Sequence, residues 1–271
     1  MMNSNKEFME TNKKRWNELV EIHSKSKNYD LEGFLKGKNS LHSVEHELLG
    51  DIKGKKILHL QCHFGMDTLS LARMGAEVTG VDFSEKAIDF AKKLSEQINV
   101  PAKFVCANIY DLDKLLNEKF DFVFTTYGVL PWLPDIKKWA EVISKFLRKG
   151  GQFLIVESHP LSHVFDDENE KELKIRYSYF SKEAMEFDSE YTYTDSDKKI
   201  EHLKTYEWMH TISEILNSLI AEGLKIKLFN EYPFSEFKQF PFLEQHEDGY
   251  WHFKDKKIDF PLLFALKATK E

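Results

Sequence analysis

The stretch that most constrains this 271-residue chain is Lys56–Asp82, KILHLQCHFGMDTLSLARMGAEVTGVD. Ile57, Leu58 and Leu60 form a short apolar run, the pattern of a strand buried on both faces of a parallel sheet. His63-Phe64-Gly65 breaks the run. Leu69, Leu71, Ala72 and Met74 then give a short helix an apolar side, and Gly75 stands where a helix C-cap glycine belongs. Val78–Val81 makes a second strand that ends on Asp82. Strand, turn with one glycine, helix, and a second strand ending in a carboxylate compose a nucleoside-binding βαβ half. In such a unit the turn amides and the helix N-terminus face the charged end of a ligand. Asp82 is then placed to accept hydrogen bonds from both ribose hydroxyls.

The alternation continues downstream. Ser84 is a good N-cap for a helix over 84–97, whose apolar positions are Ala87, Ile88, Ala91, Leu94 and Ile98. A third strand is expected at Ala102–Cys106, a short helix at 111–117 and a fourth strand at Phe120–Thr126. That strand runs into the loop YGVLPWLPD, 127–135, and a helix carried by Trp139, Val142, Ile143 and Phe146. Lys149-Gly150-Gly151 ends the helix, and Gln152–Val156 is a fifth strand. Strand–helix alternation of this regularity means an open parallel sheet with helices on both faces, with ligands bound at the carboxyl ends of the strands.

The pattern then changes. Residues 161–210 hold no long helical period, and 175–180, 187–193 and 203–208 are aromatic-rich extended segments, an antiparallel insertion after the fifth strand. Thr211 and Glu214 form a capping box for a helix ended by Gly223. Leu224–Asn230 is a sixth strand, a long loop with Pro233 and Pro241 follows, and Pro261–Ala268 is the last strand. With no helix between them, the final two strands are expected to pair antiparallel.

Ahead of the sheet, residues 6–22 make a helix with Phe8, Trp16, Leu19 and Val20 as its apolar members, and a second short helix covers 43–50. The expected division is 1–50, a helical segment poised as a lid over the ligand edge, and 51–271, the main domain with its insertion at about 161–210. His42 and His46 have a metal-compatible spacing, but the continuation HELLG lacks the second histidine of the zinc-protease pattern. They are expected to be solvated surface residues, and no metal site is expected.

A net charge of −7 argues against a duplex-binding surface, which needs a basic patch to displace counterions. Two cysteines, Cys62 and Cys106, fit a reduced, intracellular chain better than a disulfide framework. The polar start MMNSNKEFMETNKKRW has no apolar signal core, and no later run approaches a membrane span. A cytoplasmic protein with no membrane association is expected.

Taken in order, these motifs resemble the class I S-adenosylmethionine-dependent methyltransferases. The family's first motif commonly reads V-L-D-L-G-C-G-T-G; here it is ILHLQCHFG, with Cys62 and Gly65 retained, His59 in place of the acid, and Gln61 and His63 in place of two glycines. Asp82 and Phe83 match the end of strand two, Asn108 and Ile109 the adenine-edge position after strand three, FDFVFTTYGVLPWLPD the post-strand-four motif, and LRKGGQFLIVE the entry to strand five. LHLQCHFGxDTLSxAR with YGVLPWLPD also resembles a bacterial subgroup of this class that carries no substrate assignment. The resemblance implies an α/β Rossmann-like fold: a seven-stranded, mostly parallel sheet with an antiparallel C-terminal hairpin. It implies S-adenosylmethionine as cofactor, bound by His59, Leu60, Gln61, His63, Gly65, Asp82, Phe83, Asn108, Ile109 and Tyr127. With the first-motif acid missing, His59, Gln61 or a backbone carbonyl must take the methionine amino group. A dinucleotide wants G-x-G-x-x-G and close backbone approach to its pyrophosphate, and Gly65 is the only glycine across 61–68.

On the acceptor side, Tyr127, Trp132, Glu157 and His159 are expected to line the methyl position. Tyr206, Trp208 and His210 of the insertion are expected to close the pocket. His159 is the first candidate for a base and His210 the second. The charge and the aromatic C-terminal half favour a small-molecule acceptor. An RNA- or protein-modifying methyltransferase and a non-catalytic cofactor-binding protein stand as alternatives, and acceptor and oligomeric state stay open.

Overall fold

The computed structural model describes residues 2–271. Three helices come first: α1 (Met2–His23), α2 (Leu31–Leu35) and α3 (Ser43–Leu49). The alternating core follows as β1 (Lys56–Leu60), α4 (Met66–Arg73), β2 (Glu77–Asp82), α5 (Glu85–Ile98), β3 (Lys103–Cys106), β4 (Phe120–Thr126), α6 (Ile136–Phe146) and β5 (Leu147–Ser158). The remainder is β6 (Met185–Asp188), β7 (Lys204–Glu207), α7 (Ile212–Ala221), β8 (Leu224–Tyr232), β9 (Phe234–Ser235), β10 (Leu243–Gln245), β11 (Trp251–Phe253) and β12 (Leu263–Lys270).

The main sheet has seven strands in the order β3-β2-β1-β4-β5-β12-β8. β1 through β5 pair in parallel, and β12 runs antiparallel to both neighbours, β5 and β8. The reversal of strand order between β1 and β4 opens a crevice at their carboxyl ends, where ligands bind in open α/β sheets. The strands are apolar on both faces, and their residues alternate between two cores. Leu58, Leu60, Val123, Phe153, Ile155 and Phe264 face α6 and α7, packing on Trp139, Ile143, Ile215 and Leu219. Ile57, Phe122, Phe124, Leu154 and Val156 face the other way, toward α3 and the β9–β11 region, packing on Leu41, Val44, Leu49 and Tyr250. Burying a side chain of this size contributes about 1.5–3 kcal/mol, so two buried faces hold the sheet edges, and therefore the site, in fixed register.

The sequence expectations for the sheet hold, including Ser84 as a side-chain cap on α5 and the Thr211–Glu214 capping box on α7. Three local expectations are corrected. The short helix after β3 is a 3-10 turn at Ile109–Lys114, capped by Asn108. The insertion is sparser in strand than its aromatics suggest: β6 pairs antiparallel with β7, while 175–180 contributes one bridge, Phe165 to Ile175. The long loop before the last strand contains a three-stranded sheet, β10-β11-β9. Its strands are too short to show a period in sequence.

Candidate functional site

β1 delivers its next three residues, Gln61, Cys62 and His63, into the crevice. Gln61 (φ 55°) and His63 (φ 49°) both adopt the left-handed backbone that glycine would take without strain. For other residues this conformation costs roughly 1–2 kcal/mol each. The turn is held by Cys62 N–H donating to Val81 O (2.9 Å) and Gly65 N–H to Cys62 O (2.9 Å). Asp82 joins the two strands: Oδ2 accepts from His63 N–H and Oδ1 from Ser84 N–H, both at 2.9 Å. Burial raises its pKa to about 6, against the pull of those amides. Gly65 has φ 83°, and a Cβ there would meet Ala91 Cβ and Phe104 Cε1 at 2.8 Å, so the chain passes where only glycine fits.

Gln61 Nε2 donates to Val129 O at 3.0 Å, which ties the turn to the loop after β4. Its Oε1 is buried with no hydrogen-bond partner. An orphaned buried acceptor costs about 1–3 kcal/mol, so its persistence at a crevice marks a place for a donor. Asn108 Oδ1 is engaged by Tyr110 N–H at 3.0 Å, Ile109 is buried beneath, and Phe83 is half-buried next to Asp82.

At the end of β4, Tyr127 is a third non-glycine with positive φ (42°). Glu157 holds the following loop: it accepts from Gly128 N–H (2.5 Å), Val129 N–H (2.7 Å), Leu130 N–H (3.1 Å) and Ser158 N–H (2.7 Å). Burial raises its pKa while these amides lower it. Glu157 is therefore a brace for the 128–130 loop rather than a residue lining the pocket.

α1 lies across this edge. The Trp16 ring meets His63 edge-on (5.3 Å between centroids) and Trp132 likewise (5.2 Å). Asn17 Oδ1 accepts from Ser84 Oγ (2.7 Å) and Lys86 N–H (3.2 Å) at the start of α5. His23 bonds His63 through ring nitrogens (3.0 Å) and Thr192 through its other nitrogen (2.7 Å). The His23 pKa falls to about 3, first from burial and then from Arg15, so the pair is neutral. The insertion packs on the outer side of α1. Arg15 donates to the carbonyls of Ser189, His202, Leu203 and Tyr191, and Asn12 exchanges two bonds with the Tyr206 backbone. Of the α1 residues in these contacts, sequence reasoning singled out Trp16, and only as an apolar helix position. Arg15, Asn17 and His23 carried no local signal.

Among the other expected site residues, His59, Leu60 and His159 are turned into the body of the fold. His59 is 2% exposed, and its Nδ1 meets Thr68 Oγ1 (2.8 Å) beneath α4. Burial lowers its pKa to about 4, and its ring is closed off from the crevice. Leu60 has its side chain in the core, and its carbonyl accepts from Thr125 Oγ1 (3.1 Å). His159 turns along the sheet to β8: Nε2 meets Glu231 Oε1 (2.9 Å), and Nδ1 accepts from Leu161 N–H (3.1 Å). With Nδ1 occupied, no lone pair is left for a base, and the expectation for His159 is corrected on that ground. His210 Nε2 donates to Leu133 O (2.7 Å), leaving Nδ1 as its acceptor nitrogen, and burial lowers its pKa. Trp208 N–H donates to Pro131 O (2.8 Å) beside Trp132. The Tyr206 ring stacks on Phe8 (3.9 Å), on α1 rather than on the sheet edge. His46 is exposed, whereas His42 packs edge-on against Tyr127 (5.7 Å), so the expectation of a solvated side chain holds for His46 and fails for His42.

Comparison with known proteins accords with this geometry. Residues 58–155 match the family described as "Methyltransferase domain". A ubiquinone biosynthesis O-methyltransferase from Coxiella burnetii is 35% identical over 101 residues, which is 37% of this chain and 42% of that protein. The chain thus spans less than half the length of that curated relative. Among solved structures, a Listeria monocytogenes chain assigned to the S-adenosylmethionine-dependent methyltransferases superposes with TM-score 0.60 at 18% identity, covering 83% of this chain and 94% of that one. A methyltransferase of the same dependence from Clostridium acetobutylicum gives 0.57 at 16%, covering 94% and 96%. At these identities the likeness is one of fold. Residues 58–155 thus carry a match to a methyltransferase domain, set in a fold that this chain shares with S-adenosylmethionine-dependent methyltransferases.

Proposed function

We propose that this protein transfers a methyl group from S-adenosylmethionine to a small-molecule acceptor. The observation that carries the reading is the strained turn at 61–65, with the unpartnered Gln61 Oε1 at one end and Asp82 beside it. These residues fit the cofactor. Gln61 Oε1 is the acceptor for the methionine ammonium, taking over from the missing acid. Asp82 retains lone pairs for the ribose hydroxyls, and Phe83, Asn108 and Ile109 flank the adenine position. When bound, the cofactor supplies a methyl already activated on a sulfonium. The protein's remaining work is alignment and exclusion of water. Trp16, His63 and Trp132 supply an apolar cover, and Glu157 fixes the loop from which Tyr127 projects. For a hydroxyl acceptor the base is His210 rather than His159, since its Nδ1 lone pair is not engaged by the neighbouring carbonyl.

Charge supports a small acceptor over a polynucleotide. The groups that act on the Tyr127 hydroxyl are Glu45, Glu236 and Tyr250, an acidic and neutral set rather than a basic groove. Titration calorimetry with S-adenosylhomocysteine and with NAD tests the reading. Binding of the first and not the second is expected; NAD binding with no response to S-adenosylhomocysteine contradicts it.

A further inference from the structure

Around the Tyr127 hydroxyl lies a second set of buried and half-buried polar groups. Glu45 of α3 is 0% exposed, yet neither carboxylate oxygen has a hydrogen-bond partner. The Tyr127 hydroxyl is buried beside it and interacts with its carboxyl, as do the backbone amides of His42 and Glu45, but none of them closes a well-formed hydrogen bond. Glu236 is near enough for Glu45 and Glu157 to act on it, and its own contacts are the hydroxyls of Ser158 and Ser235, each at a long 3.3 Å. No lysine or arginine is among the groups acting on either carboxyl. His42 is no counter-ion, because burial lowers its pKa and keeps it neutral. Asp67 is already satisfied by Ser40 Oγ (2.6 Å) and Thr126 Oγ1 (3.2 Å).

A carboxyl held out of water without a counter-charge takes up a proton rather than stay charged, and a cation seated beside it would displace that proton. Burial shows its effect here: the Glu45 pKa rises to about 7 and that of Glu236 to about 8. The walls suit a cation. His42 lies against Tyr127 and Tyr250 (5.7 and 5.3 Å between centroids), and Phe234 packs on Tyr250 at 4.3 Å. Aromatic faces attract ammonium groups. Among the described residues no group of three metal-ligating side chains competes for this role.

We propose that Glu45 and Glu236, with the Tyr127 hydroxyl, form the subsite that binds the acceptor as a protonated amine, so that the reaction is an N-methylation. This rests on the methyltransferase reading above. The amine enters as an ammonium, and one N–H proton passes to a carboxylate. The freed nitrogen lone pair forms the new N–CH3 bond as the S–CH3 bond breaks, and the sulfur keeps that electron pair. The product leaves as the methylated ammonium, and the carboxyl proton returns to water. Tyr127 belongs to both halves of the site, because the loop that begins there reaches Gln61 through Val129 O.

Calorimetry on the full chain tests the assignment, with 2-phenylethylamine, 2-phenylethanol and 3-phenylpropanoate as probes, each with and without saturating S-adenosylhomocysteine. The amine should bind at least about tenfold more tightly than the alcohol, a difference of roughly 1.4 kcal/mol, and the acid should not bind. At pH 6, amine binding should release protons, read as a heat that depends on the buffer. Glu45→Gln should abolish both the preference and the proton release while leaving S-adenosylhomocysteine affinity unchanged; Glu236→Gln serves if Glu45→Gln does not fold. Equal binding of amine and alcohol, no binding of either, or an amine preference that survives in both folded variants overturns the proposal. Failure of S-adenosylhomocysteine to bind is read in its own arm and overturns the methyltransferase reading instead.

Discussion

Gln61 and His63 show what a single residue can reveal. Each stands where the related motif has glycine, and each keeps the glycine conformation, at φ 55° and 49°. The backbone demand of the turn has therefore survived the loss of the residue that meets it most easily. Each side chain also makes a bond that glycine cannot: Gln61 to Val129 O, and His63 to His23 on α1. Gln61→Gly should hold thermal stability close to wild type, since relief of roughly 1–2 kcal/mol of strain offsets the lost hydrogen bond. The same variant should lose about tenfold or more in S-adenosylhomocysteine affinity, because a hydrogen bond to a charged group is worth about 1.5–3 kcal/mol. Calorimetry and thermal melting on one sample check both parts. Asp82→Asn should lower affinity by a similar factor and stay folded. His59 and His159 were legible as histidines near strand ends, but not in their orientation. One turns under α4 and the other toward β8, because partners distant in sequence, Thr68 and Glu231, capture them.

At the scale of elements, α1 is the layer on which the cover depends. It is gripped from outside by the insertion and rests on the crevice through Trp16 and Asn17. Arg15 is 6% exposed and donates to carbonyls of the segment between β6 and β7, so it fixes irregular backbone that has no ladder of its own. Arg15→Ala should leave those acceptors unpaired and raise amide exchange over 185–207 several-fold, with exchange in β1 and β4 unchanged. Hydrogen-exchange mass spectrometry reads both regions at once. The position of a helix ahead of the sheet was visible in the sequence as a possible lid. Its grip was not, because a buried arginine bonded to main-chain carbonyls leaves no periodic signature. The same holds for β9, β10 and β11, which are too short for alternation to show.

The sheet, by contrast, was almost fully legible, because parallel strands buried on both faces write their apolar runs directly into the sequence. The whole molecule carries an unusual set of buried titratable groups, and they set its pH response. Asp82, Glu45 and Glu236 have pKa values raised to about 6, 7 and 8. For these acids the folded chain holds a proton that the unfolded chain releases, so their contribution is complete below the unfolded pKa and is lost as pH rises through the folded one. His23, His59 and His163 are lowered to about 3, 4 and 4, so theirs is present above the unfolded histidine value and is lost as pH falls. The two trends oppose each other between the unfolded carboxylate and histidine pKa values, and stability should be greatest there. Melting temperature should fall from pH 6 to pH 8.5, and Glu45→Gln should flatten that alkaline fall. A parallel decline in the variant contradicts the assignment of Glu45 as one of its sources.

The central claim is that the β1–β2 end of the sheet is the cofactor site. A crystal structure of the chain with S-adenosylhomocysteine bound tests it most directly. The account predicts the ligand's ammonium on Gln61 Oε1, its ribose hydroxyls on Asp82 and its sulfur facing Tyr127. Ligand bound elsewhere on the chain, or a ribose turned away from Asp82, contradicts it.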